Sequence, residues 1–141
     1  MPLDVPLYCS PDGEFGYIPV HKCASTTYKY HFYHRLRWDR AWRKGSLGES
    51  ASRWWPNPDP RKILVITRPE PDRFLSGLHT MNHTAPWAEV DWDNQHVWPI
   101  PRFIADWQHF YDRMEFVDMH DVPAWLERHG LPATQERRNA R

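Results

Sequence analysis

Lys62-Ile63-Leu64-Val65-Ile66-Thr67 (KILVIT) decides the fold class of this chain. Four consecutive apolar residues, three of them β-branched, lie between Pro60-Arg61 and Arg68-Pro69. The run is too short for a buried helix and does not alternate, so it predicts a strand covered on both faces. Strands of that kind belong to parallel sheets with helices on their flanks. Working outward, residues 16–20 (GYIPV) predict a second buried strand despite Pro19, and residues 115–118 (EFVD) a third.

Helical stretches separate these runs. Residues 28–44 contain neither Gly nor Pro and follow Ser25-Thr26-Thr27, residue types that cap helix starts. Arg35, Arg37, Arg40, Arg43 and Lys44 load the far end, which suits the helix dipole. Residues 72–79 predict a short helix. Residues 99–113 form the clearest amphipathic pattern, with Ile100, Phe103, Ile104, Trp107, Phe110 and Tyr111 at helical spacing behind an opening proline. Residues 122–129 predict a last helix with Gly130 as its cap. Residues 1–14 read as an opening loop, 45–60 as a loop with three prolines, 80–98 as irregular, and 131–141 as a frayed tail. The order β–α–β–α–α–β–α predicts a single α/β domain over 1–141, with a small parallel sheet flanked by helices.

Composition narrows the function. The chain has 141 residues, with 18 Lys+Arg against 18 Asp+Glu and a formal net charge of zero, so nucleic-acid binding driven by bulk charge is not expected. Cys9 and Cys23 are too few for a disulfide framework or a four-ligand zinc site. No apolar run reaches the roughly 20 residues of a membrane helix. The opening residues lack the basic and apolar regions of a signal peptide, so membrane insertion is not expected and a cytoplasmic location is. Nine Trp predict an aromatic-rich core or cleft.

Two segments carry chemistry. In GYIPVHKCASTTYKYHF a strand runs through a loop into a helix start. Such a loop offers several backbone N–H groups in one direction, to which Lys22 adds a mobile cation and Ser25, Thr26 and Thr27 add hydroxyls. That combination suits a phosphate or sulfate. It is not a Walker A loop, because GxxxxGK[ST] is absent. In KILVITRPEPDRFLSGL, Arg68 follows the buried strand, at the sheet edge where open α/β folds bind ligands. Arg73 and Ser76 stand three apart on the predicted helix, so they share a face and suit a second phosphate.

Together the two segments resemble the cofactor signatures of sulfotransferases that use 3′-phosphoadenosine 5′-phosphosulfate (PAPS). Val20 to Thr27 (VHKCASTT) is similar to that family's 5′-phosphosulfate loop, and Arg68 to Ser76 (RPEPDRFLS) keeps the Arg, Arg and Ser spacing of its 3′-phosphate signature. Asn94 to Pro99 (NQHVWP) and residues 114–130 resemble later stretches of the carbohydrate sulfotransferase branch. Departures are His21 in place of the usual proline, no loop glycine, Pro69-Glu70 in place of Asp-Pro, and a short interval between the signatures.

The resemblance implies a P-loop-containing sulfotransferase-like fold and sulfuryl transfer from PAPS to an acceptor hydroxyl on a small molecule or glycan, a carbohydrate being preferred. Lys22 would neutralise the phosphosulfate bridge and the leaving phosphate. Ala24, Ser25, Thr26 and Thr27 would hold the 5′-phosphate, and Arg68, Arg73 and Ser76 the 3′-phosphate. No metal is expected, because Lys22, Arg68 and backbone N–H groups meet the phosphosulfate charge. Relatives use Glu or His as the base. The candidates are His31, His34, Glu49, His79, His83 and His96, with Glu49 and His96 preferred.

Four other readings compete. A sulfotransferase-like module could bind nucleotide or glycan without turnover. His79 with His83, or His31 with His34, has metal-ligand spacing, with His96 as a third ligand. Cys23 beside His21 could act as a nucleophile. A nucleotide kinase would need a Walker A pair and an acidic magnesium ligand, and the sequence offers neither.

Overall fold

In the computed structural model, which describes residues 5–42, 58–84 and 97–134, KILVIT forms β4 (Lys62–Thr67) at the heart of a five-stranded sheet. β4 pairs in parallel with β2 (Phe15–Ile18) on one side and with β5 (Met114–Asp118) on the other. Ile63, Leu64, Val65 and Ile66 have no exposed surface, as a strand covered on both faces requires. Gly16 of β2 is forced by close packing. A Cβ there would lie 3.1 Å from side-chain atoms of both Leu7 and Pro60 and 3.2 Å from Ile63.

The sheet is mixed, which corrects the expectation of a parallel one. Its order is β3-β1-β2-β4-β5. β1 (Leu7–Cys9) lies within the predicted opening loop and runs antiparallel to β2, with Tyr8 opposite Tyr17. The Ser10 hydroxyl closes the connecting turn, donating to Asp12 Oδ1 at 2.6 Å and accepting from the Phe15 N–H at 2.9 Å.

β3 (Asp39–Ala41) corrects the helix expected over 28–44. Helix α1 (Ser25–Lys29) continues as a π-helical stretch, Tyr30–Arg35, and stops there. Arg37 then adopts φ 62°, in the left-handed region, and reverses the chain. Trp38 stacks on Phe32 with ring centroids 4.3 Å apart, and Asp39 to Ala41 pair with the free edge of β1. Burial of the indole and a strand edge needing partners outweigh helix propensity here.

Helix α2 (Glu70–Thr84) begins two residues earlier than predicted and runs longer. Helix α3 (Ile100–Ile104) tightens into a 3₁₀ stretch, Ala105–Arg113. Trp107, inside that stretch, is buried and donates its indole N–H to the Val5 carbonyl at 2.7 Å. Helix α4 (Val122–Arg128) ends in a Schellman motif: Gly130 sits at φ 69°, and the N–H groups of Leu131 and Gly130 donate to the Leu126 and Glu127 carbonyls. Trp38, Trp98, Trp107 and Trp125 all lie in the core, with Tyr17, Phe32 and Phe103 among them.

Candidate functional site

The parallel strands β2, β4 and β5 all end at the same sheet edge, and a cavity of about 760 Å³ lies there. Open α/β sheets bind their ligands at this edge because the loops leaving each strand converge on it. Three loops build its wall. The loop after β2 contributes His21, Lys22 and Ala24, and α1 adds Ser25, Thr26, Thr27 and Lys29. The turn after β4 contributes Arg68 and Pro69, and α2 adds Asp72 and Ser76. The end of β5 contributes Asp118, Met119 and His120.

The loop after β2 has unusual backbone geometry. Lys22 and Ala24 both hold positive φ, 68° and 59°, although neither is glycine. Such conformations cost about 1–2 kcal/mol per residue and persist only where surrounding contacts enforce them. Several contacts do so. The Cys23 side chain between them has no exposed surface and anchors the loop in the core. The Cys23 N–H donates to the Val20 carbonyl at 3.2 Å, and Arg68 Nη1 donates to the Lys22 carbonyl at the same distance. Segments 46 residues apart are thereby tied together.

Three cations, Lys22, Lys29 and Arg68, line the cavity. Burial lowers the pKa of the Lys22 ammonium, and the nearby Arg68 guanidinium lowers it further. Burial also lowers that of Lys29. No described carboxylate pairs with Lys22, Lys29 or Arg68. Asp72 and Asp118 line the same cavity, so its three permanent cations outnumber its two carboxylates by one, and an entering anion meets a small excess of positive charge.

Seven of the residues singled out in the sequence line this one cavity: Lys22, Ala24, Ser25, Thr26, Thr27, Arg68 and Ser76. Arg73 does not. The face that α2 turns to the cavity carries Asp72 and Ser76, one helical turn apart, and Arg73 is not on it. It is 1% exposed, and its guanidinium donates to the His21 and Trp98 carbonyls.

Among the proposed bases, His31 is buried, and its Nε2–H donates to the Pro132 carbonyl at 2.8 Å. Burial lowers its pKa, against the effect of that hydrogen bond. His34 is exposed beside Tyr30 and Tyr33, and His79 is exposed on α2; neither lines the cavity. Glu49, His96 and the His83 side chain lie outside the described residues, as do Trp54, Trp55, Trp87 and Trp92. The described residues contain no group of three metal-ligating side chains.

Sequence reasoning passed over Lys29, Asp72, Asp118 and His120. Asp118 and His120 follow the rule that selected Arg68, since both stand where a parallel strand ends. Lys29 stands one turn beyond Ser25, on the face that carries the hydroxyls.

Comparison with family models, with curated proteins and with solved structures returned no match.

Proposed function

We propose that this protein transfers a sulfuryl group from PAPS to an acceptor hydroxyl, with a carbohydrate as the acceptor. The reading rests on one observation. Two segments that separately resemble the phosphosulfate loop and the 3′-phosphate signature of sulfotransferases line the same cavity, Lys22, Ala24, Ser25, Thr26 and Thr27 from one and Arg68 with Ser76 from the other.

On this reading Ser25, Thr26, Thr27 and the backbone around Ala24 hold the 5′-phosphate, and Arg68 and Ser76 hold the 3′-phosphate. Lys22 meets the charge that grows on the phosphate as the sulfur–oxygen bond to it breaks. A new sulfur–oxygen bond forms to the acceptor, whose proton passes to a base. Glu49 and His96 are the candidates from the sequence, and His120 on the cavity wall joins them. The P-loop-like role of the β2 loop belongs to the same proposal.

Calorimetric titration with adenosine 3′,5′-bisphosphate, the desulfated product, tests the reading, with ADP as the control. Micromolar binding that requires the 3′-phosphate supports it and justifies an acceptor screen. A folded sample that binds neither nucleotide refutes it.

A further inference from the structure

We propose that Arg73 is a positioning residue that clamps the loop after β2, and that it does not touch the anion bound in the cavity. The proposal rests on the sulfotransferase reading only for the choice of probes.

Its placement carries the argument. Arg73 is 1% exposed and absent from the cavity wall, whereas Asp72 beside it and Ser76 one turn on both line that wall. Its Nη1 donates to the His21 carbonyl at 3.5 Å, and its Nη2 to the Trp98 carbonyl. One guanidinium thus joins the loop after β2 to the segment entering α3. The joint is packed from the other side as well: the Phe103 ring lies 5.6 Å from the His21 ring and 5.3 Å from the Trp98 ring, between centroids.

The peptide between His21 and Lys22 is trans, so the Lys22 N–H points opposite to the His21 carbonyl. Holding that carbonyl toward Arg73 fixes the plane of this peptide, and with it the direction of the Lys22 N–H. Arg68 holds the next carbonyl, that of Lys22. Two arginines on two consecutive carbonyls fix the strained stretch that contains Lys22 and Ala24. Lysine cannot reproduce this, because one ammonium lacks the planar fork that spans two carbonyls.

Arg73→Lys and Arg73→Gln test the clamp in the full chain. Hydrogen exchange of the amides of residues 20–24 should quicken about tenfold, the loss expected for one charge-assisted hydrogen bond. Affinity for adenosine 3′,5′-bisphosphate and for adenosine 5′-monophosphate should fall by the same factor, since the loop serves the phosphate common to both. Unchanged exchange over 20–24 overturns the clamp. A loss confined to the ligand with a 3′-phosphate overturns it too, by making Arg73 a direct ligand. If the wild type binds neither nucleotide, the sulfotransferase reading fails while the exchange arm still decides the clamp. Should both variants fail to fold, nitrogen-15 NMR of the ligand-free wild type decides. Individually resolved, slowly rotating Nη protons on Arg73 support the clamp, and a freely rotating, averaged group overturns it.

Discussion

At the amino-terminal ends of β4 and β5, Lys62 Nζ lies 2.9 Å from Glu115 Oε2, and the Trp125 indole donates to Glu115 Oε1 at 2.7 Å. At the carboxyl-terminal ends, Lys22, Lys29 and Arg68 line a cavity together with Asp72 and Asp118, and among the described residues none of these cations is ion-paired with a carboxylate. Arg68 instead donates to a backbone carbonyl, which orients the guanidinium without cancelling its charge. Charge matched to charge holds strands together and leaves nothing for a ligand. Charge held by neutral backbone dipoles stays available to an incoming anion. Substitutions at the two ends therefore belong in different assays.

The sharpest way to break this contrast is Lys22→Ala. Sulfuryl transfer should fall by about 10²–10³ in kcat, the loss typical of removing one group aimed at developing charge. The melting temperature should barely move. Product release at saturating PAPS measures the first and calorimetry the second; unchanged kcat would remove Lys22 from the chemistry. Arg68→Ala should chiefly weaken cofactor binding, by about 10- to 100-fold in Kd for adenosine 3′,5′-bisphosphate. A variant that binds as tightly as the wild type would dissolve the second anion site. Ser76→Ala removes one neutral hydrogen bond and should raise the same Kd by only about 3- to 10-fold. Equal effects on ligands with and without a 3′-phosphate would show that Ser76 serves another part of the cavity.

Glu115→Gln probes the opposite end. It should leave nucleotide affinity unchanged and lower stability by about 1 kcal/mol, near 4 °C in Tm. Hydrogen bonds from Trp125 and then Lys62 hold the Glu115 carboxyl below its usual range. A lowered carboxyl contributes stability above the unfolded value, about pH 4.3, and loses it as pH falls through the folded value. Wild-type stability should therefore drop on acidification below that pH, and the variant's should drop less. A Glu115→Gln protein that melts normally but loses nucleotide affinity would erase the distinction between the two ends.

Much of this arrangement was legible in the residues. An unalternating apolar run this short, rich in β-branched residues and flanked by prolines, reads as a strand buried on both faces, and β4 spans the same Lys62–Thr67. The strand-end rule then selected Arg68, and the loop chemistry selected Lys22 through Thr27. Other features had no local signal. β1 is three residues long among prolines, too short for any periodicity to register. The turn at Arg37 contains no Gly or Pro, and the chain turns there because Trp38 packs on Phe32 and β1 offers an open edge. Both causes are tertiary. The spacing groups Arg73 with Ser76, whereas the residues of α2 that line the cavity are Asp72 and Ser76, and Arg73 is buried.

The pairing scheme also sets when the cavity comes into being. β1 and β2 pair through a short hairpin, which closes quickly, whereas β3 returns to β1 from residues 39–41. β4 joins β2, and β5 joins β4, only after much longer stretches of chain have been drawn together. Until then Lys22 and its neighbours form one jaw with no opposing jaw. On the proposed reading, nucleotide capture reports on a late stage of folding, and in a refolding experiment its signal should lag behind formation of the β1–β2 hairpin.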